Sequence, residues 1–271
     1  MHSPPDSTLG LLGQGWPEEA GGGTASLLGP VGVVGAQGPR CPLTGAGDCL
    51  LGSPSAAGEG WDDYVSVEQL VHRGAVRASC ATGKLPLAEP FRETGFFIPS
   101  TLAPDLLDQV VQLATDAVRA LGIRDAVAHT EVKLTPSGPR IIEVNGRVGG
   151  HVVDIVPRAC RGSLSTAALE LALGRLPDTE AFRFTGVTFE WVLLPPVDAR
   201  ELISLYGADD ARALEGVTAV DVHARPGEPI DWRLGNQSLG LVHGQVADHA
   251  ALRRLVERLE RTVGGTYERM G

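Results

Sequence analysis

Apolar positions along the chain fall into two regimes that meet near Trp61. Before it, stretches such as Gly21-Gly22-Gly23 and Gly52-Ser53-Pro54-Ser55 show neither a helical nor a strand period. Such a segment offers little large apolar surface to offset the entropy of ordering it. Leu27 to Val34 is its best short strand candidate. From Trp61 onward the pattern is regular. Tyr64-Val65-Ser66-Val67-Glu68 alternates, His72-Arg73-Gly74 marks a turn, and Ala75 to Thr82 reads as a returning strand. A long loop is expected over 83–103. Pro104 then suits the first turn of a helix whose apolar stripe is Leu107, Val110, Val111, Ala114, Ala117, Val118 and Leu121, with Gly122 as its stop. Strands are expected over 126–135, 139–145 and near 183–194, 217–223 and 237–243, with helices near 152–160 and 163–174. His223 to Gly227 and Gly235-Asn236 read as turns. A last helix over 247–263 turns Arg253, Arg254, Glu257, Arg258, Glu260 and Arg261 outward. Helices and strands mix without a steady βαβ rhythm, so the expected fold class is α+β, an antiparallel sheet with flanking helices.

Composition sharpens the boundary. Of 35 glycines, 15 lie in the first 60 residues, with 7 of the 19 prolines. Residues 1–60 are therefore expected to be a low-complexity, disordered Gly/Pro-rich tail, followed by a patterned part over 61–177 and a further α+β portion over 178–271. Lys and Arg total 23 against 33 Asp and Glu, a net charge of −10. That balance argues against a nucleic-acid partner, which needs clustered cations. Only Lys84 and Lys133 are lysines, and no Lys or Arg precedes Arg40. A secretory signal or mitochondrial presequence would need such charges. No apolar run approaches the roughly 18–20 residues that cross a bilayer, so no membrane partner is expected. Cys41, Cys49, Cys80 and Cys160 lack C-x-x-C spacing and suit reduced thiols in a cytoplasm, with Cys80 and Cys160 as small buried hydrophobes.

The chemistry concentrates in His129 to Gly150. Thr135-Pro136-Ser137-Gly138-Pro139 separates two alternating runs and predicts a hairpin with a three-residue loop, Gly138 taking its left-handed position. That pairing sets Glu131 opposite Glu143 and His129 opposite Asn145. Glu143 and Asn145 share a face, which Arg147 joins if the strand continues, while Val132, Leu134, Ile142 and Val144 face a core. Opposed carboxylates, their Cβ atoms about 4.5–5.5 Å apart, repel unless a cation lies between them. Two carboxylates and an amide oxygen suit Mg²⁺ or Mn²⁺ bridging phosphates. The alternative is a solvated face neutralised by Lys133, Arg140 and Arg147.

Tyr64-Val-Ser-Val-Glu68, Glu89-Pro-Phe-Arg-Glu-Thr-Gly95, and Glu131 followed by Glu143-Val-Asn-Gly-Arg-Val-Gly-Gly150 resemble the ATP-grasp superfamily, in its carboxylate–amine (L-amino acid) ligase branch. The resemblance covers roughly residues 61–262, the C-terminal part of that fold. It implies ATP and Mg²⁺ (or Mn²⁺) as cofactors, small-molecule carboxylate and amine substrates, and an acyl-phosphate route. By position it implies Glu131, Glu143 and Asn145 as metal ligands and Arg147 as the arginine that steadies the transferring phosphoryl group. Glu93, Gly149, Gly150 and His151 become substrate contacts, and Glu68 and Lys133 cofactor contacts. Phe96 and His151 depart from relatives that carry a histidine and a large aromatic there. The family's upstream lysine-bearing half has no match in residues 1–60, so the expectation is the catalytic half of a ligase. The alternative is a truncated, non-catalytic remnant acting as a binding module. Self-association is left open.

Overall fold

The computed structural model describes residues 50–53, 55–231 and 237–269. Leu27 to Val34, Cys41, Cys49 and the turn at Gly235-Asn236 lie outside the described residues. Of the stretch assigned to the Gly/Pro-rich tail, Ser53 bonds a strand residue and Ala57 is buried in the main core. Ser53 N–H donates to Leu134 O at 2.6 Å, and Thr101 Oγ1 donates to Ala57 O at 2.6 Å.

The alternating run beginning at Tyr64 forms strand β1 (Tyr64–His72), which turns at Arg73 and Gly74 into β2 (Ala75–Lys84). Both turn residues have positive φ, 53° and 76°. That is the two-residue geometry whose twist matches paired strands. β1 is buried along its whole length because it lies inside the sheet with chain packed on both faces. Its other neighbour is β4 (Ala126–Thr135), which pairs in turn with β5 (Gly138–Asn145). On the far side β2 meets β3 (Gly95–Ile98), followed by β6 (Val187–Leu193), β9 (Gly240–Val246) and β8 (Val217–Val222). The eight strands run in the order β5-β4-β1-β2-β3-β6-β9-β8, with every pair antiparallel. Strands on either side of residue 177 thus share one sheet.

Helix α1 (Pro104–Ala120) buries Val110, Ala114, Ala117 and Val118 of the predicted stripe and half-buries Leu107 and Val111, while Leu121, just past its end, is exposed. It ends where Gly122, at φ 68°, lets Gly122 N–H reach Arg119 O and Ile123 N–H reach Val118 O. This paired closure satisfies carbonyls that the helix end would leave bare. α2 (Val152–Ala159) and α3 (Leu164–Ala172) pack on the other face through Ile155, Val156, Leu164 and Leu171. α5 (His249–Thr262) buries Leu252, Leu255 and Leu259 and is capped by the Asp248 carboxylate accepting from Ala251 N–H. The main core holds Val65, Val67, Phe97, Val132, Leu134 and Phe189 against α1 and α5.

Several elements differ from expectation. The loop 83–103 contains β3, whose sequence Gly-Phe-Phe-Ile is buried on both faces and so carries no alternation to read. The strand placed at 183–194 starts at Val187, after a 3₁₀ turn at Thr179–Phe182. The strand near 237–243 is shifted to 240–246. A separate two-stranded sheet pairs β7 (Ala199–Tyr206) with β10 (Gly264–Arg269), and a short helix α4 (Ala208–Arg212) follows β7. Bulges in this pair break the period-2 signal. Among the described residues, no helix is long and apolar enough to cross a membrane.

Candidate active site

Directly opposed residues in neighbouring strands share a face, and so do alternate residues within a strand. From β5 to β9 this register gathers one polar band. Asn145 and Glu143 lie opposite His129 and Glu131, which in turn oppose Glu68 and Ser66. Thr82 opposes Ser66, Phe96 opposes Lys84, Glu190 opposes Phe96, and His243 opposes Glu190.

The hairpin reaches this arrangement by a route the sequence did not suggest. Thr135 pairs with Gly138, so the loop has two residues, Pro136 and Ser137, rather than three. Pairing runs one residue out of the expected register up to Val132 opposite Ile141, and a bulge at Ile142 then restores it. Glu131 opposes Glu143 and His129 opposes Asn145, as expected. Without the bulge Glu131 would face Ile142, and the second carboxylate would point away.

At this end His129, Glu131 and Glu143 bring ligand atoms within 4.8 Å of one another. His129 Nδ1 bonds Glu68 Oε1 at 2.5 Å, and Nε2 lies 3.6 Å from Glu131 Oε1. Asn145 Nδ2 donates to Glu143 Oε1 at 2.8 Å. Burial alone would lower the His129 pKa, but hydrogen bonds and charge from Glu131 and Glu68 overcome it and push the group up to about 9. Burial likewise acts to raise Glu131, and its His129 hydrogen bond with the Lys84, His129 and Arg147 charges holds it below the usual carboxylate value. Arg147 is exposed, and its Nη1 donates to Val148 O at 3.1 Å. Gly149 leans on His129: a Cβ there would stand 2.4 Å from Nδ1. Gly150 faces open space. Two oxygens and a nitrogen converging beside a cationic arginine fit a divalent cation carrying phosphate oxygens.

The other end centres on Glu93. Its Oε1 accepts from Tyr64 OH at 2.8 Å and lies 3.4 Å from Lys84 Nζ. His151, at the N-cap of α2, places Nε2 3.9 Å from Glu93 Oε2 and joins Nδ1 to Glu190 Oε1 at 2.6 Å. Its ring stacks on Phe96, centroids 4.1 Å apart. Phe96 and His151 are therefore in contact. Glu190 is fully buried, with His243 Nδ1 3.6 Å from its second oxygen.

Two expected cofactor contacts are buried in ion pairs. Glu68 is buried and engaged with His129, and the Lys133 ammonium pairs with buried Asp63. Tyr64, Ser66, Thr82, Lys84, Glu190 and His243 were not singled out as site residues from the sequence. For Glu190 the available signal was a single charge inside the apolar run Val187–Leu193. Cys80 and Cys160 are free thiols, half-buried rather than fully buried as expected, and burial and then Glu68 push the Cys80 pKa upward.

No family model matches the chain. Among solved structures, the L-amino acid ligase of Bacillus licheniformis aligns at TM-score 0.66 and 22% identity, covering 76% of this chain and 54% of that one. Phosphoribosylglycinamide synthetase of Anaerococcus prevotii aligns at 0.62 and 11%, covering 76% and 53%. The chain carries part of the ATP-grasp fold. It spans about half of those ATP-grasp structures. Gallus gallus carnosine synthase 1 is 37% identical over 113 residues, 41% of this chain and 12% of that protein. Alanine–anticapsin ligase of Bacillus subtilis (strain 168) is 32% identical over 93 residues, 34% of this chain and 20% of that protein.

Proposed function

We propose that this chain is the metal-bearing part of a cytoplasmic, ATP- and Mg²⁺-dependent ligase that joins a carboxylate to an amine. The observation that carries the reading is the convergence of Glu131, Glu143 and His129 on one face of an ATP-grasp sheet, with the Arg147 charge acting on Glu131. Ligases of amino acids among the relatives support amino acids as substrates.

A carboxylate is a poor electrophile, so its oxygen first takes the γ-phosphoryl group of ATP, releasing ADP. The amine then attacks the acyl carbon, phosphate leaves, and the nitrogen gives up a proton as the amide forms. Such phosphoryl transfer asks the protein for in-line placement and charge neutralisation more than covalent help. Glu131 and Glu143 would hold the cation, which when bound offsets charge on the phosphates. Arg147 meets charge developing on the transferred group, and the missing side chain at Gly149 lets His129 sit beneath it. Glu93, fixed by Tyr64 and Lys84, accepts the substrate ammonium group. His151, aligned by Glu190, closes that end.

ADP release is measured with ATP, Mg²⁺ and pairs of amino acids. Release above the ATP-only rate, requiring Mg²⁺ and both substrates and lost in Glu143→Gln, is expected. A Glu143→Gln protein of full activity contradicts the metal assignment. ATP binding without release for any pair favours a non-catalytic binding module.

A further inference from the structure

The residues at the acidic end point to a nitrogen donor beyond the amide oxygen that the sequence pattern suggests. We propose that His129 coordinates the cation through Nε2, completing a one-nitrogen, two-carboxylate site with Glu131 and Glu143. Such a site prefers a borderline first-row cation, Mn²⁺ or Co²⁺, over Mg²⁺. This deepens the ligase reading and rests on it for the place of the metal.

Four observations carry it. The donor atoms of His129, Glu131 and Glu143 lie within 4.8 Å of one another, close enough to share one ion. Glu68, its side chain wholly buried, occupies Nδ1 at 2.5 Å and so turns Nε2 toward Glu131. A carboxylate holding the far nitrogen of a histidine is the usual outer support of a metal-ligating imidazole, fixing the tautomer and ring orientation. Asn145, the expected third ligand, donates from Nδ2 to Glu143 Oε1 at 2.8 Å, which orients that carboxylate much as Glu68 orients the imidazole and leaves its amide oxygen able to coordinate beside them. Gly149 packs its backbone against the His129 ring and limits how far the ring can swing.

Coordination replaces the Nε2 proton by the cation. Glu143 is exposed and Glu131 partly so, leaving open positions for phosphate oxygens. Mg²⁺ takes oxygen ligands and sheds water reluctantly, whereas an imidazole adds affinity along the series from Mn²⁺ toward Co²⁺.

The test is pulsed electron paramagnetic resonance on the 271-residue protein loaded with Mn²⁺, reading coupling to a directly bound ¹⁴N. Calorimetric titrations with MnCl₂ and MgCl₂ accompany it. The wild type is expected to show the ¹⁴N coupling, and His151→Gln to keep it. His129→Gln loses it, with Mn²⁺ affinity down at least roughly ten-fold and Mg²⁺ affinity changed by less than about three-fold. Glu68→Gln keeps the coupling but weakens Mn²⁺ by roughly 10–100-fold. Mn²⁺ bound without ¹⁴N coupling, a coupling that survives His129→Gln, or no Mn²⁺ binding overturns the inference. The wild-type spectrum stands even if the His129 variant fails to fold. An oxygen-only site with Mg²⁺-dependent ADP release sinks this inference alone, while ¹⁴N coupling with no ADP release sinks the ligase reading alone.

Discussion

Gly149→Ala tests whether the loop after the hairpin is shaped around His129. An added Cβ would stand 2.4 Å from His129 Nδ1 and 2.8 Å from Cε1, where ordinary contact begins at 3.4 Å. About 1 Å must be opened, either by the loop or by the ring. The ring has little room: it is 7% exposed, bonded to Glu68 on one side and facing Glu131 on the other. If the contact is kept under strain, overpacking costs about 1–3 kcal/mol. If the ring moves, the charged hydrogen bond to Glu68 is lost, at about 1.5–3 kcal/mol. Both routes predict a loss near 2 kcal/mol, with weaker metal binding because Nε2 is displaced. Gly150→Ala is the internal control. A Cβ there meets nothing within 4 Å, so its change stays within about 0.5 kcal/mol. Urea unfolding followed by fluorescence of buried Trp61 and Trp191 measures both. Equal midpoints for Gly149→Ala and the wild type would refute the packing argument.

Other outcomes follow from the same structure. Phe97→Ala removes a fully buried ring that lies 4.6 Å from Trp61 and over Gly83, and should cost about 3–5 kcal/mol in the same unfolding assay. A loss under about 1 kcal/mol would mean the site collapses freely. Burial, then the Arg158 charge, lowers the His243 pKa below its ordinary 6.5 despite Glu190 and Asp221. The unfolded chain therefore takes up this proton first on acidification, and the associated stability is present above about pH 6.5 and lost as pH falls below it. Between pH 7.5 and 5.5 the wild type should lose more stability than His243→Gln, and parallel losses would contradict the assignment.

Local pattern carried the helices well. The α1 stripe and its Gly122 stop were legible because each depends on neighbours within one or two turns. The opposition of Glu131 and Glu143 was also legible, although a two-residue turn and a bulge at Ile142 produce it in place of a three-residue loop. β3 was hidden because its two phenylalanines and isoleucine are buried on both faces, which erases the strand period. The Glu93 end was legible only at Glu93 and His151. Its partners Tyr64, Lys84, Glu190 and His243 come from β1, β2, β6 and β9, and only the order of strands in the sheet brings them together. For Glu68 and Lys133 the resemblance implied cofactor contact by position, and their buried partners His129 and Asp63 come from other strands or from before β1, beyond the reach of local pattern.

Calorimetric titration of ATP into the protein with and without Mg²⁺ tests whether the His129, Glu131 and Glu143 face holds a nucleotide through a divalent cation. Saturable heat that requires Mg²⁺, with affinity at least roughly ten-fold weaker in Glu143→Gln, is expected. Absent heat, or heat indifferent to both Mg²⁺ and Glu143, would contradict it.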